Sequence, residues 1–542
     1  MRVYDDANRL LSITHETTGS PATPLLVYSY DWTVNNWVQR RTEIDYSVTP
    51  FVTATVDFTY DNRGRLIHEL RQEQPNGQQT WTEVYDIEYR YDQLGNRTQR
   101  FDYHANLRTD YVYDTDFADP ETDPDFPNAP YYTKNNRLLQ YFVYDTSGAS
   151  DVLLRTVNYT YYETGQASNI TIKDEAGGGD PGDPDPALYY DLALYYFNHG
   201  PLRLALWATY DKDGGGNFTN YNTTAAREFR YDDPRARYIA VDYNTGGSSS
   251  TGAWTAAGPI GWTDYDGGGA GVSPVTPYGD ASIDNETTAL TEQTRYFASA
   301  GSQDAAGTNT RYRHGDLIGS TGLTSDSGGA AVSAASYTAF GEILDANGAP
   351  GGSAPAGMSR YQYASAFGYE SGLLSLSGAD SSLPPIRLQH LGARWYDPAT
   401  GRFVQRDPIG INGGLNTYSY VHNTPTTLID PTGNGFWDGN NPVHDWVARH
   451  FWRRFHSDKH ILSPWAPAEA VAISVAGGVA GGLLTRYCIN LLTKPRPPSI
   501  RWRWKPGPTN PRTYPRPGRS PGSLDVDVDL PAPWNGPWPP VK

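Results

Sequence analysis

Aromatic and polar residues alternate along the first part of the chain with the two-residue period of a half-buried strand. The pattern aromatic-x-Tyr-Asp recurs as Tyr28-Ser29-Tyr30-Asp31, Phe58-Thr59-Tyr60-Asp61, Tyr89-Arg90-Tyr91-Asp92, Tyr111-Val112-Tyr113-Asp114 and Phe142-Val143-Tyr144-Asp145, with spacings of 30, 31, 22 and 31 between the aspartates. In each copy the aromatics mark one face of a strand, and the Asp ends it because its side chain favours a turn. The turn then supplies Asn or Gly for positive φ, as in Asp61-Asn62-Arg63-Gly64 and Asp92-Gln93-Leu94-Gly95, and the chain returns. A lone hairpin cannot bury its own aromatic face. The repeats are therefore expected to stack into one long antiparallel sheet that curves or spirals, which also shields the strand edges. The pattern weakens over 175–305, where the acidic Pro-rich stretch 180–186 and several Gly/Ser runs read as insertions, and a late copy returns at Phe229-Arg230-Tyr231-Asp232.

Composition agrees with a mainly β fold. Among 542 residues, 55 Gly and 41 Pro make long interior helices improbable over most of the chain. With 40 Tyr, 15 Trp and 16 Phe the chain is too aromatic to be wholly disordered, and a mean hydropathy of -0.60 excludes a polytopic membrane protein. A single cysteine, Cys488, rules out an internal disulfide and a Cys-based zinc site. Met1 to Asp6 lack the apolar stretch of a secretory signal, so Sec export is not expected if that start is the natural one; export by a specialised system or a cell-surface location is.

Charge divides the chain near Gly435. From there to Lys542 the balance is 14 basic against 7 acidic residues, net +7, which leaves -24 for residues 1–434. An acidic body repels nucleic acid and anionic membranes; the basic tail can seek either, or rest against its own body.

The Tyr-Asp copies resemble the RHS repeat, also called the YD repeat, of bacterial polymorphic toxins, insecticidal toxin-complex C subunits and animal teneurins. From Tyr312 the resemblance strengthens through His314-Gly315-Asp316-Leu317 and Tyr337-Thr338-Ala339-Phe340-Gly341-Glu342. It is closest over Gly392-Ala393-Arg394-Trp395-Tyr396-Asp397-Pro398, Arg406-Asp407-Pro408-Ile409-Gly410 and Asp430-Pro431-Thr432-Gly433, a stretch similar to the RHS repeat-associated core. The resemblance implies a hollow β-shell of repeats, a core that plugs it, and an intramolecular aspartyl protease that releases the variable segment following it. Five units are expected: repeats over 1–174, degenerate repeats over 175–305, the core over 306–434, a partly helical variable segment over 435–493, and a Pro-rich disordered tail over 494–542.

The implied chemistry needs two carboxylates close enough to share a proton, one activating water while the other protonates the peptide oxygen. Asp407 and Asp430 match the family positions, and Arg394 matches one implicated beside them, where a guanidinium orients a carboxylate. The two aspartates are 23 residues apart, so only the tertiary fold can join them. Read without the family, each Asp-Pro pair simply opens a turn, and Arg406 is a surface partner. Cleavage is expected between Asn434 and Gly435, although the family usually places Leu where Asn434 stands, and an amide in an apolar pocket must be satisfied.

The tail carries no plain enzyme signature. His456 and His460 would share a helical face near His444, His450 and Asp458, which admits a metal-dependent nuclease or merely an amphipathic basic-aromatic helix. Asp211 to Asn217 resembles a calcium loop without its closing acidic ligand. No metal or cofactor is assigned. Sixteen uncharged residues follow Glu469, with Gly477, Gly478, Gly481 and Gly482 in small-xxx-small spacing, so 470–492 suits either membrane contact or a buried helix. Two functions remain open: a shell that encloses its own C-terminal segment as an effector, with an immunity protein or secretion machinery as partner, or an adhesion module anchored through 470–492.

Overall fold

The computed structural model describes residues 1–17, 21–114, 135–175, 188–197, 200–212, 218–233, 236–244, 255–256, 259–265, 277–284, 290–297 and 300–434, and then the short strands Trp437–Asp438, Ser499–Lys505 and Ser523–Asp529. Twenty-four strands, from Arg2–Tyr4 to Ala331–Ala334, form one sheet. All its ladders are antiparallel and run between strands adjacent in the chain, except that Ala236–Asn244 pairs with both Thr255–Ala256 and Ile260–Tyr265. The sheet does not break over 175–305. Tyr189–Tyr196, Leu202–Lys212, Phe218–Asp233 and Ala236–Asn244 continue it there.

The turns form as the sequence dictates. Asp61 Oδ1 accepts from the backbone N–H of Arg63 at 2.9 Å and of Arg65 at 3.0 Å, and Gly64 takes φ 83°. Asp92 repeats this, accepting from Asn96 N at 2.8 Å, with Gly95 at φ 81°.

In three of the Tyr-Asp pairs the tyrosine has a function the pattern did not disclose. Its hydroxyl donates to a carbonyl on the neighbouring strand pair: Tyr60 to Val38 O at 2.7 Å, Tyr91 to Leu66 O at 2.8 Å and Tyr113 to Arg97 O at 2.8 Å. Tyr161 does the same to Leu138 O at 2.9 Å, and Tyr162 and Gly165 close the turn that Asp and Gly close elsewhere. The fifth copy is therefore Tyr159-Thr160-Tyr161-Tyr162. Phe142-Val143-Tyr144-Asp145 lies on the preceding strand, Leu138–Asp145, where Tyr141 is the buried aromatic and Phe142 and Tyr144 are only half-buried. Alternation alone could not distinguish two strands with the same aromatic content.

Residues after 336 pack on the buried face of this sheet. Their own four-stranded sheet runs through Glu370–Leu376, Ile386–Leu391, Arg394–Asp397 and Arg402–Phe403. One apolar cluster joins Leu10, Tyr28, Val56 and Tyr89 to Phe340, Tyr396 and Tyr420; a second joins Val157, Ile170 and Phe229 to Leu374, Leu388 and Trp395. Polar contacts follow the same course, from Tyr60 with Thr426 (2.7 Å), through Arg402 with Asn96 (2.8 Å) and Trp207 with Ser375 O (2.6 Å), to Arg360 with Asp280 Oδ1 (2.8 Å). Strands far apart in the sheet reach one small core, so the sheet curves around it.

Beyond 434 the described residues are strands. Trp437–Asp438 pairs with Leu428–Ile429. Ser499–Lys505 pairs with Ser523–Asp529, with Arg501 opposite Asp527 and Arg503 opposite Asp525. These two strands carry alternating basic-aromatic and acidic-aliphatic runs of complementary charge. The expected helical part of 435–493 and the stretch with Gly477, Gly478, Gly481 and Gly482 lie outside the described residues, as do His444, His450, His456, Asp458 and His460. Among the described residues no helix is long and apolar enough to cross a membrane.

Candidate active site

Two backbone segments meet where glycine permits it. Ala393 N–H donates to Thr432 O at 3.0 Å, with Gly392 at φ 54° and Gly433 at φ 64°. A Cβ on Gly433 would lie 2.3 Å from Leu391 O, and one on Gly392 2.3 Å from Thr432 C. This approach brings Arg394, first in its strand, beside Asp430, which follows the strand Leu428–Ile429. Asp407 arrives from a third direction, fixed by its N–H donating to Thr417 O at 2.9 Å.

The three side chains converge on one nitrogen. Arg394 Nη2 stands 2.9 Å from Asp430 Oδ2 and 3.1 Å from Asp407 Oδ2, which places the two carboxylate oxygens within about 6 Å of each other. Exposure is 2% for Arg394, 2% for Asp430 and 6% for Asp407. The rest of the guanidinium is held as well: Nε donates to Gly433 O, Nη1 to Thr417 O at 3.3 Å, and its carbon lies 3.5 Å from the centre of the Phe403 ring. Arg406, by contrast, is exposed.

Each carboxylate divides its work between its oxygens. Asp407 Oδ1 accepts from Ile409 N at 2.9 Å, and Asp430 Oδ1 from Asn434 N at 3.1 Å and Thr432 Oγ1 at 3.4 Å, so both aspartates do open turns. Their Oδ2 atoms meet Arg394. The turn reading and the paired-carboxylate geometry thus hold together.

Two carboxylates against one guanidinium leave an excess negative charge in a buried site, and a proton relieves it. Burial pushes Asp407 up most; Arg394 opposes and the Asp430 charge adds, and the outcome is about 6. Tyr369, which no sequence motif marked, accepts the Asp430 N–H on its hydroxyl at 2.7 Å and pairs with the Tyr420 hydroxyl at 3.1 Å. Phe403 was visible only as part of the family-like stretch; its position over a cation had no sequence signal.

Asn434 is 8% exposed and its Oδ1 has no hydrogen-bond partner among the described residues. Such an unmet buried group costs about 1–3 kcal/mol. Gly435 lies outside the described residues. Among those described, no group of three or more His, Cys, Asp or Glu could hold a metal ion.

No family model matches the chain. Its sequence relatives are toxin-complex and Rhs-type toxin proteins. Toxin subunit YenC1 of Yersinia entomophaga is 32% identical over 133 residues, 24% of this chain and 12% of that protein. Double-stranded DNA deaminase toxin A of Burkholderia cenocepacia is 55% identical over 40 residues, and the Dickeya dadantii protein named "Probable deoxyribonuclease RhsB" 58% over 40; each match covers 7% of this chain and 3% of the relative. The chain thus spans only a small part of these curated relatives. A solved TcdB2-TccC3 structure matches over 80% of this chain and 28% of that one, at 15% identity and a TM-score of 0.25.

Proposed function

We propose that this chain is an RHS-type β-shell whose core severs the peptide after Asn434 and so frees the basic C-terminal segment as an effector. The observation that carries the reading is the convergence of Asp407, Asp430 and Arg394 in a buried site beside Asn434. Asp430, paired with Arg394, takes a proton from the attacking group; Asp407, protonated in part near neutrality, gives one to the departing amine. Arg394 keeps both oriented and fixes the carbonyl of Gly433, one residue before the bond. An acidic body of -24 also suits retention of a +7 segment. The enclosed segment is then the shell's first partner, and an immunity protein or secretion machinery the next.

The test is expression of the wild type beside Asp407→Asn and Asp430→Asn, with intact mass measured after denaturation. A break at Asn434-Gly435 that both substitutions abolish is expected. An uncleaved wild type would favour the second reading, an anchored adhesion module, which the pairing of Trp437–Asp438 with Leu428–Ile429 also suits because it ties the following segment to the core. Membrane fractionation separates the two, since an anchor stays with the body.

A further inference from the structure

We infer that Asn434 is not only the residue before the severed bond but its nucleophile, so that the chain is cut by asparagine cyclisation rather than by water. The inference rests on the reading that the peptide after Asn434 is severed at the Asp407–Asp430 pair, and names the chemistry of that step.

Three observations point to it. The site is closed, with Arg394, Asp430 and Asn434 all buried, so an attacking water has little room. Both Oδ1 atoms of the pair are engaged with turn donors, and Asp430 Oδ1 is bonded to the N–H of Asn434 itself. Among the described residues the buried Asn434 amide oxygen has no hydrogen-bond partner, so none of them pins that side chain through its oxygen. Meanwhile its backbone is held: the Gly433 carbonyl by Arg394 Nε, the Asn434 N–H by Asp430, and Gly433 by its tight approach to Leu391. A fixed main chain with a rotatable amide is what an intramolecular attack needs.

The step balances without water or any other reactant. Asn434 Nδ2 bonds to the main-chain carbonyl carbon of Asn434, closing a five-membered imide, and the bond from that carbon to the Gly435 nitrogen breaks. Asp430 accepts the proton that Nδ2 loses, and Asp407 delivers its proton to the Gly435 amine as it departs. The proton then passes from Asp430 to Asp407 and restores the pair. Leucine at this position has no such nucleophile, and Asn434→Leu therefore separates the two chemistries.

The experiment compares full-length wild type, Asn434→Leu and Asp407→Asn by intact mass, by trapping with hydroxylamine, and by cleavage in heavy-oxygen water. The wild-type N-terminal fragment should be lighter by one water than residues 1–434 with a free carboxylate. It should trap as a hydroxamate and, on standing, open to a mixture of C-terminal asparagine and isoasparagine, a product that hydrolysis cannot yield. A wild-type fragment that carries only asparagine with a free carboxylate, traps nothing and takes up heavy oxygen at once would overturn the inference while leaving the self-cleaving core intact. So would an intact wild type beside a cleaved Asn434→Leu, because the amide would then block a hydrolytic pair. If all three chains stay whole, self-cleavage itself fails and the inference with it. An imide that forms equally in Asp407→Asn upholds Asn434 as nucleophile and removes Asp407 from the step.

Discussion

Arg394 donates through Nη2 to Asp430 Oδ2 at 2.9 Å, and that same nitrogen stands 3.1 Å from Asp407 Oδ2. Removing the arginine leaves two carboxylates facing each other in a buried site. Arg394→Met is expected to cost about 3–5 kcal/mol, the usual penalty for stranding a buried charge, and to abolish release. Arg394→Lys keeps the charge but not the fork that also reaches Gly433 and Thr417, and should recover stability better than release. Urea titration alongside the cleavage assay checks both.

The carboxylates themselves should behave differently from the arginine. Asp407→Asn and Asp430→Asn each remove a proton carrier, and release is expected to slow at least about 100-fold, the lower range for losing an acid or base. Asp407→Asn should leave the fold standing, because an amide oxygen can still accept from Ile409 N and the surplus negative charge is gone. Thermal unfolding distinguishes this from a folding defect.

Release should fall as pH rises. Asp407 is raised from 3.8 to about 6, and as general acid it works only while protonated, so the rate is expected to drop through about pH 6. Asp316 is raised to about 6 as well, by burial, which the Arg41 charge opposes. Both groups hold protons in the folded chain that the unfolded chain has given up. Their contribution to stability is therefore complete below 3.8 and lost as pH passes through about 6. Denaturant midpoints across that window should decline, and less steeply in Asp316→Asn.

The tyrosine hydroxyls can be tested one at a time. Tyr91→Phe removes one bond, to Leu66 O, and is expected to cost about 1 kcal/mol. Tyr60→Phe removes two, to Val38 O and to Thr426 of the core, and should cost more. Equal losses in a urea series would show that the contact with the core adds nothing.

Gly433→Ala tests the close approach. Its Cβ would meet Leu391 O at 2.3 Å and Ala393 N at 2.8 Å, in a left-handed conformation that alanine resists. Arg394 and Asp430 should move apart, with release lost while the sheet of repeats keeps its circular dichroism.

The repeats were legible in the sequence because their signal is local. A two-residue aromatic period, an Asp and a Gly within a few positions prescribe strand, turn and return strand, and the stacking follows from a face that one hairpin cannot bury. Local signals also misled where they were ambiguous, as with Phe142 to Asp145, and weakened over 175–305, where Leu, Ala and Tyr carry much of the sheet and one copy, Phe229 to Asp232, keeps the Asp punctuation. The site was legible only by resemblance. Nothing in the 23 residues between Asp407 and Asp430 draws them together. That was decided by Gly392 and Gly433, which let two backbones touch, and by a core buried against the curved sheet, where desolvation makes one guanidinium gather both carboxylates.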